Sequence, residues 1–164
     1  MNLQPVLSNE LITIRPLKES DFNALFSIAS DKLIWEQHPN NDRYKEDVFK
    51  VFFEKALASN SAFAVIDTAT ERIIGSSRYY DLDSKYNNIS IGFTFISRDY
   101  WGTNYNSNLK KLMIDYAFQF VNSIYFHVGA TNFRSQKAVL KLGAIKVEEP
   151  NNETNWLYEL KKIK

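Results

Sequence analysis

SIGFTFISRDYWGTNYNSNLKKLMIDYA, residues Ser90 to Ala117, changes its hydrophobic period part-way along, and that change decides the fold. Ile91, Phe93 and Phe95 alternate with Gly92 and Thr94, the period of a strand with one strongly apolar face. From Tyr105 onward, Tyr105, Leu109, Leu112, Met113, Tyr116, Ala117 and Phe120 recur at helical spacing, with Asn108, Lys110, Lys111, Asp115 and Gln119 opposite. The stretch predicts strand, turn, helix. Its turn, Trp101-Gly102-Thr103-Asn104-Tyr105-Asn106-Ser107, is small and polar, and Gly and Asn tolerate left-handed backbone. A helix N-terminus leaves N–H groups unpartnered and carries partial positive charge, so such a turn suits a phosphate. The same residues equally make an ordinary connection capped by Thr103, Asn104 or Asn106.

Before this stretch, Leu11–Arg15 reads as a strand stopped by Pro16, and Ser20 as the cap of a helix over Asp21–Ala29. An aromatic and polar loop, Leu33 to Pro39, leads to a helix over Lys45–Ser59. Ala62–Asp67 and Ile73–Tyr80 form a hairpin around the polar turn Thr68–Arg72. After the stretch come a strand at Ile124–Gly129 and a helix from Asn132 to Gly143. Closing strands at Ala144–Val147 and Trp156–Leu160 flank an acidic turn, Glu148–Glu153. The order is β-α-α-β-β-β-α-β-α-β-β. Three strands in succession favour antiparallel pairing, and strand–helix–strand across Tyr105–Val121 favours a parallel crossover. The expected fold is α/β of the α+β kind: a mixed, mostly antiparallel sheet with helices on both faces. With no linker, repeat or low-complexity tract, residues 1–164 read as a single domain.

The 164 residues suffice for a core without staples, and 12 Phe, 9 Tyr and 3 Trp supply its bulk. Lys plus Arg number 20 against 19 Asp plus Glu, so neither nucleic acid nor an anionic membrane is the expected partner. Without cysteine there is no thiolate nucleophile and no cysteine-ligated metal, and His38 and His127 form no ligand motif, so no metal is expected. Met1-Asn2-Leu3-Gln4-Pro5 is neither a signal nor a transit peptide, and the expected location is cytoplasmic.

Two motifs in this order resemble the GNAT acetyltransferase superfamily, closest to its ribosomal-protein N-terminal acetyltransferases. The resemblance runs from Leu11 to about Leu160. Tyr100-Trp101-Gly102-Thr103-Asn104-Tyr105-Asn106 stands where the family carries the acetyl-CoA pyrophosphate loop, Q/R-x-x-G-x-G/A. Asn132-Phe133-Arg134-Ser135-Gln136-Lys137-Ala138-Val139-Leu140-Lys141-Leu142-Gly143 resembles its N-x-x-S/A helix ending in K-L-G. Asn104 replaces the loop's central glycine, where a left-handed Asn would keep the loop's shape, and Asn106 replaces its Gly or Ala. Val139 stands where many relatives carry a tyrosine acid, and no carboxylate among Asn88–Ile91 matches the common strand glutamate.

The resemblance implies acetyl-CoA as co-substrate, direct transfer to an amine, and a splayed pair of parallel strands that receives the pantetheine arm. It places the cofactor on Phe95, Ile96, Gly102, Thr103, Asn104, Tyr105, Asn106, Ser107 and Asn132. Such transfer needs a base for the amine, a donor for the carbonyl oxygen and a proton for the departing thiolate. A backbone N–H around Thr94–Ile96 is the expected donor, and Gly92 suits a bulge or close approach, or merely room for an aromatic ring. Ser135 is the candidate acid, or a helix cap. Glu36 and His38, on the loop that lines the acceptor side, are the candidate bases, with Trp35 as wall or core lid. His127 reads as structural, and Lys110, Lys111, Lys137 and Lys141 as a wet face or contacts to the 3′-phosphate. The acceptor is a protein N-terminus or a small amine such as a polyamine, amino acid or aminoglycoside. A homodimer stays open. The opposed reading is an idle acyl-CoA-binding or protein-interaction module.

Overall fold

The structure, a computed structural model, describes residues 1–147 and 154–164. The acidic turn expected over Glu148–Glu153 lies outside the described residues. Among the described residues, eight strands are β1 (Leu7–Ser8), β2 (Ile12–Pro16), β3 (Ala62–Asp67), β4 (Ile73–Asp83), β5 (Asn88–Ile96), β6 (Ser123–Gly129), β7 (Ile145–Lys146) and β8 (Asn155–Lys161). The α-helices among the same residues are α1 (Phe22–Ala29), α2 (Glu46–Ala58), α3 (Tyr105–Ala117) and α4 (Phe133–Lys141). The strands form one mixed sheet, β1-β2-β3-β4-β5-β6-β8-β7, in which β5–β6 is parallel and every other pair antiparallel. The short edge strand β1 adds one element to the expected order.

Alternation on β3 sorts the two cores. Phe63 and Val65 pack with Leu109, Met113 and Ala117 of α3, and Val139 of α4, on one face. Ala62 and Ala64 pack with Leu25, Phe49, Phe52 and Phe53 of α1 and α2 on the other. Ser20 does not cap α1 as expected. Asp21 stands at that position, and its buried carboxylate instead accepts from Arg15 at 2.8 Å and from the Lys18 N–H at 2.8 Å. Those bonds and the charge of Arg15 outweigh burial and hold Asp21 below the usual carboxylate range.

The single apolar face expected for β5 is corrected by a bulge. Along β4, Ser76 and Arg78 pair with Phe95 and Gly92, so two steps on β4 oppose three on β5. Phe93 takes a positive φ of 52° there. Ile91 consequently packs on the α3 face, Phe95 on the α1–α2 face, and Phe93 is exposed. Pairing of β5 with β6 runs only from Asn88↔Ser123 to Ser90↔Tyr125. Beyond that point the two parallel strands part, and the β6-facing edge of β5 from Gly92 to Ile96 is left open.

Candidate active site

One side of the site is the turn into α3. Tyr100 and Tyr105 meet edge to face at 4.7 Å, and both hydroxyls donate to Asp67, Tyr100 at 2.7 Å. The Trp101 indole N–H donates to the Ile96 carbonyl at 3.0 Å. These anchors hold the turn against the end of β5. The left-handed residue is Gly102, at φ 71°, and not Asn104, which starts the helix at φ −88°. The expected left-handed Asn104 is therefore corrected: the turn takes its one positive φ two residues earlier, where a glycine already stands. Among the described residues no acceptor meets the backbone N–H of Gly102, Thr103, Asn104, Asn106 or Ser107. Nothing lies within 4 Å of where a Gly102 Cβ would be. Free N–H groups at a helix start, beside open space, fit a pyrophosphate.

Phe95 and Ile96 follow the bulge on the open edge of β5. Across the gap, Asn132 is buried at the start of α4, where its side-chain oxygen accepts from the Ser135 N–H at 3.3 Å. Asn132 is thus a cap whose amide nitrogen has no partner among the described residues. Ser135 is half-buried in the first turn, and its hydroxyl makes no hydrogen bond there. Sequence reasoning passed over Arg134, whose guanidinium lies 3.6 Å over the Trp101 ring and ties α4 to the turn. Its backbone N–H donates to Gln37 at 3.2 Å, which draws in the loop between α1 and α2.

That loop carries Glu36 and His38. Glu36 is exposed, with Arg134 as the guanidinium its charge favours. Trp35 is buried, its indole donating to the Ala29 carbonyl at 2.8 Å, so it packs as a lid on the core. His38 meets Trp35 edge-on, and its Nδ1 accepts from the Asn40 N–H at 3.0 Å. Burial, then the charge of Arg43, pushes His38 down to about 4. An imidazole with so little affinity for a proton is a poor base at neutral pH.

A better-placed histidine lies on β6. Ile124, Phe126 and Val128 alternate into the α3-side core, which turns His127 out on the opposite face. His127 Nδ1 sits 2.8 Å from the Tyr80 hydroxyl of β4. The pair spans the sheet over Gly92, where an added Cβ would meet the Tyr80 ring at 3.0 Å. Gly92 serves that close approach. Burial raises Tyr80 to about 12, so its phenol stays protonated.

Between this pair and Trp35 lie two guanidinium groups. Arg78 is 8% exposed, its Cζ 3.9 Å from the Phe93 ring centre and 5.7 Å from that of Phe52. Arg43 stacks on the same Phe52 at 4.5 Å and on Trp35 at 5.6 Å. Neither forms a salt bridge among the described residues, and the buried Nε of Arg78 has no hydrogen-bond partner. Burial, then the charge of Arg78, lowers Arg43 to about 10. Ring contacts return roughly 1–2 kcal/mol each, against several kcal/mol for desolvating each ion.

Lys110 contradicts its expected place on the wet face of α3. It is buried, with Nζ 2.6 Å from Thr94 Oγ1, which in turn lies 2.8 Å from Ser77 Oγ. Among the described residues no cluster of His, Asp and Glu could hold a metal ion, and no helix is long and apolar enough to cross a membrane.

Residues 12–145 match the model of the acetyltransferase (GNAT) domain. The chain belongs to the GNAT family. Among similar solved structures is a GCN5-related N-acetyltransferase from Brucella melitensis, at 16% identity and a TM-score of 0.83, covering 96% of this chain and 79% of that one. Another is the spermidine N-acetyltransferase of Vibrio cholerae in complex with CoA and spermine, at 17% identity and 0.72, covering 93% and 96%. A third, described as a ribosomal-protein-serine acetyltransferase of Vibrio cholerae, has 14% identity and a TM-score of 0.80, covering 99% and 100%. At these identities the likeness is one of fold. This GNAT chain has the family's mixed sheet with one parallel pair, and departs from the loop pattern at Asn104 and Asn106.

Proposed function

We propose that this GNAT protein is an acetyl-CoA-dependent N-acetyltransferase that transfers acetyl directly to a primary amine, of a protein N-terminus or a small molecule. The observation that carries the reading is the gap between β5 and β6. It has free N–H groups of the Gly102–Ser107 turn on one side and the Tyr80–His127 pair on the other. Bound acetyl-CoA would supply an activated acetyl thioester. The turn holds its pyrophosphate, Phe95 and Ile96 offer backbone to its arm, and Asn132 has a free amide nitrogen to donate. An N–H on the open edge of β5 polarises the carbonyl. His127 takes the proton of the acceptor ammonium at Nε2, while its Nδ1–H donates to the Tyr80 oxygen. The amine nitrogen bonds to the acetyl carbon as the carbon–sulfur bond breaks, and the second proton the nitrogen sheds, like the one held on His127, passes to solvent. Ser135 donates its proton to the leaving thiolate and recovers one from solvent.

Calorimetric titration with acetyl-CoA, followed by thiol release over an amine panel, tests the reading. Tight binding with no turnover on any amine would leave an idle acyl-CoA-binding module. Gly102→Val should weaken acetyl-CoA binding by about 1–3 kcal/mol, because a β-branched residue is strained at positive φ. An unchanged dissociation constant would take the turn out of the cofactor site. Ser135→Ala should lower turnover at saturating acetyl-CoA about ten- to a hundredfold. Its backbone N–H, which Asn132 caps, is untouched, so the fold should persist. Parent-like turnover would leave Ser135 as a capped residue only.

A further inference from the structure

Arg43 and Arg78 have no role in moving acetyl from thioester to amine, yet both lie among the rings that lead from Trp35 to the Tyr80–His127 pair. Arg78 faces Gly92 across the β4–β5 ladder, at the bulge itself. Its guanidinium packs on Phe93, whose ring also meets Tyr80 at 5.0 Å, edge to face. Phe93 thus stands between the arginine and Tyr80, whose far side meets His127. Arg43 arrives from the loop before α2 and shares the Phe52 ring with Arg78. Both side chains lack a salt bridge and a hydrogen bond among the described residues, and one buried donor, Arg78 Nε, has no acceptor at all. The acids nearest in sequence, Asp42 and Glu46 for Arg43 and Asp81 for Arg78, are exposed and form no ion pair with these two, although the charge of Asp42 acts on Arg43. Two like charges drawn together under aromatic rings, without an ion pair to the chain among the described residues, leave the place of an anion open.

We propose that Arg43 and Arg78 form a carboxylate subsite, so that the acceptor is a small amine bearing its own carboxylate. This rests on the acetyltransferase reading and names its substrate class. A guanidinium with a free Nε edge matches a planar carboxylate with two parallel hydrogen bonds. The Trp35, Phe52 and Phe93 rings suit the apolar stem between the two ends of such a molecule.

The test compares matched acceptors: β-alanine against propylamine, 4-aminobutyrate against butylamine, and O-phosphoethanolamine against ethanolamine. The ratio of kcat/KM within a pair is the readout, so losses from misfolding cancel. The parent should favour the carboxylate partner at least tenfold in one of the first two pairs. Arg78→Met and Arg43→Met, which keep the apolar stems, should bring that ratio toward one. Arg78→Lys, which keeps the charge but not the fork, should restore only part of it. Ratios near one in the parent overturn the inference and leave the acetyltransferase reading intact. A large ratio for the phosphate pair alone overturns the carboxylate assignment in favour of phosphate. A second measurement needs no turnover: acetate and inorganic phosphate are titrated while the arginine Nε–H resonances are followed by NMR. Saturable shifts with acetate, absent in Arg78→Met, uphold the subsite even if no amine reacts, in which case the acetyltransferase reading falls instead. Unmoved resonances overturn the subsite.

Discussion

His127→Ala is expected to lower the limiting rate about a hundred- to a thousandfold, with the acetyl-CoA dissociation constant unchanged. The size follows from the task. An aliphatic acceptor is an ammonium ion at neutral pH and cannot attack until something takes its proton. Of the two histidines, His38 is held neutral by burial and the charge of Arg43, with its Nδ1 already accepting from Asn40. His127 is exposed, beside the bulge, with Nδ1 fixed by Tyr80 and Nε2 left free. Tyr80→Phe keeps the ring that covers Gly92 but removes the orienting oxygen, and should reduce turnover by about tenfold. His38→Ala and Glu36→Gln should each change the rate less than His127→Ala. Added imidazole should restore part of the activity of His127→Ala in proportion to its concentration, which a merely structural histidine would not permit. Full activity in His127→Ala would return the proton to water or to the Glu36 loop.

Much of this architecture was legible because it is written in period. The change from alternation to helical spacing after Ile96 located β5, the turn and α3. The bounds of β3, Ala62–Asp67, followed from its apolar run and the polar turn beyond it. What stayed hidden arises from single-residue events. A bulge inserts one residue without changing composition, so Ile91 and Phe95 looked like one face although they serve two cores. Gly92 signalled a close approach, but nothing nearby in sequence named Tyr80 as the ring that approaches. His127 was readable in principle, since its apolar neighbours Phe126 and Val128 must point inward and therefore turn it out. Its pairing with Tyr80, 47 residues away in sequence, was not. The arginines were hidden for a related reason. Arg43 sits in a polar loop and Arg78 in a strand, and only the fold brings both over Phe52.

Lys110 is the other residue that period alone misplaces, and replacing it should change stability more than any surface substitution. Leu109, Met113 and Ala117 set the buried stripe of α3, and Lys110, one position on, is drawn under the sheet beside them. Its ammonium meets Thr94 Oγ1 at 2.6 Å and forms no salt bridge among the described residues, so burial pushes it down to about 7. The unfolded chain holds this proton up to about 10.4. Below about pH 7 both states are charged, and the full penalty of a buried ammonium weighs on the fold. Between about 7 and 10.4 the unfolded state binds more protons, so stability rises with pH through that window. Lys110→Met removes the charge and nearly preserves the stem, at the loss of one hydrogen bond to Thr94, about 1 kcal/mol. It should stabilise the protein at pH 6 by about 1–4 kcal/mol, the range seen when buried ions give way to apolar groups of similar volume. By pH 10 the advantage should have shrunk to nothing or reversed, because a neutral amine bonded to Thr94 is then the better partner. Urea unfolding of parent and variant at pH 6, 8 and 10 reads this directly. Two parallel stability curves would show that Lys110 keeps its proton throughout, held by water that reaches it between α3 and the open edge of β5.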